Sequence, residues 1–147
     1  MKRPSFDQIY MGLALALSKR STCERAQVGC VVVSADNNQV LAVGYNGNFR
    51  GGKNGCDSDE PGLCGCLHAE DNCMIKLDFN GGIEKKLYTT TLPCKTCAKR
   101  IVNARISRVI YLRDYRLRDG LKILKKAKVK VSRMEERAIR LLEDGKD

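Results

Sequence analysis

The order of apolar patterns along the 147 residues predicts an α/β sandwich around a largely parallel sheet, in a single domain spanning 1–147. Two observations carry this. An apolar hairpin pattern opens the chain after one helix, and strand-like and helix-like segments then alternate to the end. Residues 5–20 read as the first helix, with Ile9, Leu13, Ala16 and Leu17 on one face. The start, MKRPSFDQIYMGLALALSKR, has the basic opening and apolar run of an export leader. Asp7, Gln8, Ser18 and Lys19 interrupt that run, so an amphipathic helix is the better reading. VGCVVVSADNNQVLAVGYN reads as two β-branched strands joined by an Asp-Asn-Asn turn. Residues 47–67 form a long loop rich in Gly, Asp, Asn and Cys, a length that a compact domain seldom carries without function or a cross-link. His68 to Phe79 reads as helix two, KKLYTTT as a strand and Lys95 to Asn103 as helix three. RVIYL is a strand, Asp119 to Ala127 helix four, VKV a short strand, and Arg133 to Glu143 helix five.

Composition narrows the partners. The formal charge of +10 suits an anionic partner, a nucleotide or a nucleic acid, against the plainer reading of a solvated basic surface. Aromatic residues are 5% and Trp is absent, which disfavours a stacking platform for single strands. No run approaches ~18 apolar residues, so no membrane span is expected. Eight cysteines without an export signal point to metal rather than disulfides, and to a cytoplasmic protein.

Two short motifs carry chemistry: His68-Ala-Glu70 and Pro93-Cys94-Lys-Thr-Cys97. Pro93 is preset for a first helical turn, and Cys94 and Cys97 then share one helical face at i and i+3. A helix N-terminus favours their thiolates. Two thiolates and the chain's one imidazole make three zinc ligands, leaving a fourth position open for water as in catalytic sites. Each ligand group is expected at the C-terminal end of a strand entering a helix, where open α/β sheets place their sites. Glu70, two residues past His68, would face the water and move its proton. A lone CxxC also reads as a redox pair and a lone histidine as a packed core residue. A zinc ribbon would need two CxxC knuckles, and only one is present. The ordered set is more specific than any of these.

H-x-E followed by P-C-x-x-C is the zinc deaminase signature. The chain resembles the cytidine deaminase superfamily, and within it the deoxycytidylate (dCMP) deaminase family. RSTCERAQVGCVVVS, VGYNGNFRGG, HAEDN, LPCKTCAKRI and VIYLRDYRLRDGLKILKKAKVKV carry the likeness over nearly the whole chain. The resemblance implies a three-layer α/β/α sandwich around a five-stranded mixed sheet. It implies zinc on His68, Cys94 and Cys97, and Glu70 as proton shuttle in the hydrolysis of dCMP to dUMP and ammonia. It implies Asn46 as a contact to the sugar or base, with the main chain near Ala69 and Thr91 beside the base. A phosphate needs cations, and Arg113, Arg116 and Arg118 with Tyr115, or Arg50 and Lys53, are the candidates. The resemblance further implies a homo-oligomer, and in some members an effector nucleotide (dCTP or dTTP) with magnesium on its phosphates, for which GYNGNFRGG is the candidate stretch.

Of the other cysteines, Cys30 and Cys73 read as small core residues. Some family members hold a second, structural zinc joining the region of Cys23 to the long loop, and by that resemblance Cys23, Cys56, Cys64 and Cys66 are its candidate ligands. The tight C-x-C of Cys64 and Cys66 leaves Asp57, Asp59 or Glu60 as substitutes for one of them. Other functions fit parts of the pattern. A nucleic-acid deaminase acting on tRNA or single-stranded DNA would use the charge. A free (deoxy)cytidine deaminase would leave the arginine cluster unexplained. A non-catalytic zinc module would have no use for Glu70.

Overall fold

A computed structural model describes residues 3–78 and 80–143. Helix α1 (Phe6–Ser18) starts at a capping box, in which the Gln8 backbone N–H donates to Ser5 Oγ at 3.1 Å and Ser5 N–H to Gln8 Oε1 at 2.8 Å. It buries Tyr10, Met11, Ala14 and Ser18, while Ile9 and Leu13 are exposed. The expected stripe is therefore not the buried one. The helix is apolar on most sides, so periodicity could not choose the face. Gly29, where an added Cβ would lie 1.8 Å from the Ala14 carbonyl oxygen, lets that face approach the sheet.

Strands β1 (Gly29–Ser34) and β2 (Val40–Tyr45) form the expected hairpin, with Asn37 at φ 67° and Asp36 accepting from the Asn38 N–H in its turn. The sheet order is β2-β1-β3-β4-β5, with β3 at Lys85–Thr91, β4 at Ile106–Arg113 and β5 at Lys130–Arg133. β1 pairs antiparallel with both β2 and β3, and β3–β4 and β4–β5 are parallel. The sheet is thus mixed rather than largely parallel in its pairings. β3 joins the free side of β1 after crossing over through α2, so β1 alone runs against the other four strands.

Helix α2 (Ala69–Met74), α3 (Lys95–Asn103) and α4 (Asp119–Lys126) cover one face, where Ala69, Cys73, Ala98, Ile101 and Leu124 meet Cys30, Val32, Leu87 and Val109. On the other face α1 and α5 (Glu136–Glu143) meet Val31, Val33, Tyr88 and Ile110. Three layers result, as expected. Cys30 and Cys73 are fully buried, and the Cys73 thiol donates to the Cys30 carbonyl at 3.2 Å. Helix α2 is shorter than its sequence pattern. After Met74 the chain tightens through Lys76 N–H to Cys73 O and Leu77 N–H to Met74 O, both i to i−3. The expected end at Phe79 lies outside the described residues. No described helix is long and apolar enough to cross a membrane.

Candidate functional site

Among the described residues, two groups of side chains that could hold a metal lie at the edge of the sheet where β2, β3 and β4 end. The first joins His68, Cys94 and Cys97. Cys94 is the N-cap of α3, its sulfur accepting from the Cys97 N–H at 3.5 Å. Pro93 therefore stands just before the cap, outside the first turn, and Lys95 opens the helix. His68 caps α2. It follows the long loop and not a strand, although Leu67 beside it bridges to Gly47 just past β2. Gly44 brings β2 against α2, since a Cβ there would sit 2.7 Å from the Ala69 carbonyl oxygen.

His68 Nδ1 lies 3.3 Å from Cys97 Sγ and 3.5 Å from Cys94 Sγ. Nitrogen and sulfur on one tetrahedral zinc stand about 3.6 Å apart, from bond lengths of about 2.0–2.1 and 2.3 Å. The donor set fits zinc in chemistry and spacing. The Cys97 thiol beside Cys94, helped by His68, holds the Cys94 thiol down to about 3. The hydrogen bond to Cys94 raises His68 to about 9, and the same neighbour pushes Cys97 up. A thiolate beside an imidazolium is a pair ready to trade protons for a dication.

Glu70, 4% exposed, sits on the first turn of α2. Burial raises its carboxyl above the usual range, while Thr89 Oγ1 donates to Oε1 at 3.3 Å. It lines a cavity of about 320 Å³ together with His68, Cys94, Asn46, Thr91 and Arg116. Ala69 and Tyr115 line it too. Asn46, 6% exposed, accepts from the Val28 N–H at 2.8 Å and donates to the Ala26 carbonyl at 2.7 Å. One lone pair and one N–H of its amide remain for a ligand.

The arginine cluster divides. Arg116 faces the cavity, whereas Arg113 Nε donates to Glu136 Oε1 at 2.5 Å and Arg118 pairs with Asp114 at 3.8 Å; neither of these two lines the cavity. Arg50 and Lys53 do not line it, and Lys53 Nζ donates to the Cys56 carbonyl. Arg25, not among the sequence candidates, does line it. Its signal was its place two residues past Cys23.

The second group is Cys23, Cys56, Cys64 and Cys66, whose sulfurs all lie within 4.8 Å of one another. Cys23 Sγ is 3.7 Å from Cys56 Sγ and 3.6 Å from Cys64 Sγ, with Cys64 to Cys56 at 3.0 Å. Two sulfurs on one tetrahedral zinc stand about 3.8 Å apart. Burial works against the Cys23 thiolate, but the N–H groups of Ala26 and Arg25 and the thiols of Cys64 and Cys56 overcome it and bring Cys23 down to about 7. Burial pushes Cys64 and Cys66 up. Gly65, at φ +77°, folds the C-x-C so that both cysteines face inward. No carboxylate is needed to complete the four donors.

This sheet edge carries a His-Cys-Cys donor set fit for zinc beside a buried carboxylate, on a three-layer α/β/α fold. The sequence matches the profile of the cytidine and deoxycytidylate deaminase zinc-binding region over residues 4–113, and the chain belongs to that family. It is 39% identical over 143 residues to deoxycytidylate deaminase of Saccharomyces cerevisiae, covering 89% of this chain and 45% of that one. To the deoxycytidylate deaminase of Mycobacterium phage D29 it is 35% identical over 130 residues, 78% of this chain and 99% of the phage protein. The chain spans less than half the length of the two yeast relatives, 45% and 39%. Among solved structures, dCMP deaminase from the cyanophage S-TIM5, in complex with dCMP and dUMP, superposes with a TM-score of 0.78 at 32% identity, covering 91% of this chain and 100% of that one.

Proposed function

We propose that this protein hydrolyses dCMP to dUMP and ammonia. One observation carries the reading: the buried Glu70 carboxyl, His68 and Cys94 line the same cavity, with Cys97 buried behind them within ligand distance and a cation, Arg116, on the cavity wall. Zinc held by His68 Nδ1, Cys94 Sγ and Cys97 Sγ would supply the Lewis acidity that makes water nucleophilic near neutrality. Glu70 takes a proton from the water as its oxygen bonds to C4 of the cytosine and gives that proton to ring N3; it then takes the second proton from the new C4 hydroxyl and hands it to the amine, so that the C4–N4 bond breaks, ammonia leaves and the C4 carbonyl forms. Its raised proton affinity suits a group that must both accept and release. Asn46 offers its remaining amide hydrogen and lone pair to the sugar or base, and the main chain of Ala69 and Thr91 borders the base. Arg116, with Tyr115 beside it, takes the 5′-phosphate. Cys23, Cys56, Cys64 and Cys66 hold a second zinc that ties the segment before β1 to the long loop; the convergence of four sulfurs within 4.8 Å, with Cys23 at 3.6–3.7 Å from two of them, supports this.

The family resemblance alone supports a homo-oligomer and a magnesium-carrying effector nucleotide at the GYNGNFRGG stretch, while the cysteine usage supports a cytoplasmic location. Gel filtration and titration of activity with dCTP and dTTP test these. The central experiment is ammonia release from dCMP, CMP, deoxycytidine, dCTP and a cytosine-containing DNA strand, with Glu70→Gln as the blank. Turnover of dCMP far above deoxycytidine is the expected result. Turnover of the DNA strand alone overturns the substrate assignment.

A further inference from the structure

The edge of the sheet away from the zinc donors holds a row of cations for which the dCMP reading has no use. β3, β4 and β5 all start there. Lys86 of β3, Arg108 of β4 and Lys130 of β5 stand in lateral register, Lys86 beside Arg108 and Arg108 beside Lys130. Like charges side by side across strands destabilise a sheet. Among the described residues one carboxylate, Asp7, forms an ion pair with this row, 3.4 Å from Arg108. Arg105 and Lys128 add two more charges at the turns that lead into β4 and β5. Each follows the C-cap of a helix, α3 and α4, with a left-handed backbone at φ 59° and 62°. Glycine is the common residue at such a position, because a side chain there is strained. The dipole of each helix favours a cation at its end, but it gives no reason for the charges on the strands.

These five cations line a cavity of about 430 Å³. A second cavity, of about 620 Å³, adjoins it through Glu84 and Arg105, which line both, and adds Lys85. Against the six cations, Glu84 is the one carboxylate on either wall among the described residues. No aromatic side chain is among the lining residues, so bases would find nothing to stack on. What the walls offer is positive charge along a line. Neighbouring strands lie about 4.8 Å apart, so the row across three strands spans about 10 Å. A nucleic-acid strand in helical form carries one phosphate per about 3.4 Å of rise, so about three phosphates meet the row. We infer that this groove binds the phosphodiester backbone of a nucleic-acid strand without regard to base. It is a binding surface separate from the deaminase cavity, so it stands or falls independently of the dCMP reading.

The test compares wild type with two triple variants, each as the zinc-loaded full chain. One strips the groove, with Arg105→Gly, Lys128→Gly and Lys130→Gln. The other removes the same charge from exposed positions elsewhere, with Lys19→Gln, Arg20→Gln and Lys99→Gln. Glycine relieves the left-handed backbone at Arg105 and Lys128, so the groove variant should melt no lower than wild type. Fluorescence anisotropy of a labelled mixed-sequence single strand, as DNA and as RNA, reads affinity against salt, and the tighter of the two names the source. Three lost phosphate contacts should flatten the salt slope by about 2 and cost about a hundredfold in affinity at about 0.1 M salt, both from a slope of about 0.7 per contact. The charge-matched variant should stay close to wild type, because salt screens charges that do not touch the strand. Equal losses in the two variants, or no loss in the groove variant, overturn the inference. So does a wild type that does not bind the strand, or that holds inorganic tripolyphosphate or polyglutamate as tightly. If the groove variant melts lower than wild type, Lys130→Gln alone decides, with an expected slope change of about 0.7.

Discussion

Two glycines of the long loop allow the geometry of the four-cysteine group to be tested against itself. Gly62 and Gly65 both have left-handed backbones, at φ +82° and +77°. Alanine at either position pays the same conformational cost, about 1 kcal/mol. At Gly62 nothing lies within 4 Å of the added Cβ, so the cost ends there. At Gly65 the Cβ would lie 2.1 Å from Asp57 Oδ2 and 3.0 Å from Asp57 Cβ, so the carboxylate must move. That carboxylate also accepts from Asn48 Nδ2 at 2.7 Å, and losing such an exposed hydrogen bond adds about 1 kcal/mol. Gly65→Ala should therefore destabilise by about 2 kcal/mol against about 1 for Gly62→Ala. For a chain of this length the difference lowers the melting temperature by about 2–4 °C more. Because Gly65 separates Cys64 from Cys66, its variant should also release zinc to a chelator that leaves Gly62→Ala intact. Scanning calorimetry and zinc analysis after dialysis measure both effects. Equal melting temperatures and equal zinc retention in the two variants would refute the reasoning.

Other substitutions separate chemistry from architecture. Glu70→Gln should keep zinc and fold while kcat falls by about 10²–10⁴, the range for one proton-transfer group; a smaller loss in an ammonia-release assay would remove Glu70 from the shuttle role. Tyr88→Phe should cost about 1.5 kcal/mol in urea unfolding and leave activity unchanged, because the buried Tyr88 hydroxyl donates to Asp7 Oδ1 at 2.5 Å on the α1 face; an unaltered unfolding midpoint would count against that bond. Arg113→Gln should leave KM for dCMP unchanged, since Arg113 is engaged by Glu136. Its loss should matter only to stability, and by less than about 1 kcal/mol, because both side chains are about half exposed. Arg113 holds the Glu136 carboxyl below 4.5, so this contribution is present above pH 4.5 and disappears as pH falls through the lowered value. A weakened KM would return Arg113 to the phosphate contacts.

Local chemistry made the elements and the donor sets legible. The zinc motifs, the proline and the spacing of Cys94 and Cys97 are short-range patterns, and the structure brings those side chains together. What was not legible depends on choices made across the fold. Helix α1 shows apolar residues on most sides, and the tight approach at Gly29 selects the buried face. Nothing local says that β3 pairs with β1 rather than β2. Helix α2 carries no Pro or Gly before Gly81, and its early end lies in i to i−3 bonds that periodicity does not register. The arginines after β4 look alike in sequence. Their partners Glu136 and Asp114 draw two of them away and leave Arg116 at the cavity. Arg25 was hidden for the complementary reason: it lies far from those arginines along the chain.

The reversed direction of β1 decides which parts of the chain can meet at the cavity. In an all-parallel sheet, only segments that follow strands arrive at the strands' C-terminal edge. With β1 inverted, the segment that precedes it arrives there as well, stitched to the end of β2 through Asn46. Cys23 and Arg25 reach the cavity by that route. The opposite edge receives the hairpin turn around Asn37 and the short turns at Arg105 and Lys128, far from the zinc donors. It is the side on which a reporter, an affinity handle or a fused domain can be inserted without crossing the path of the substrate.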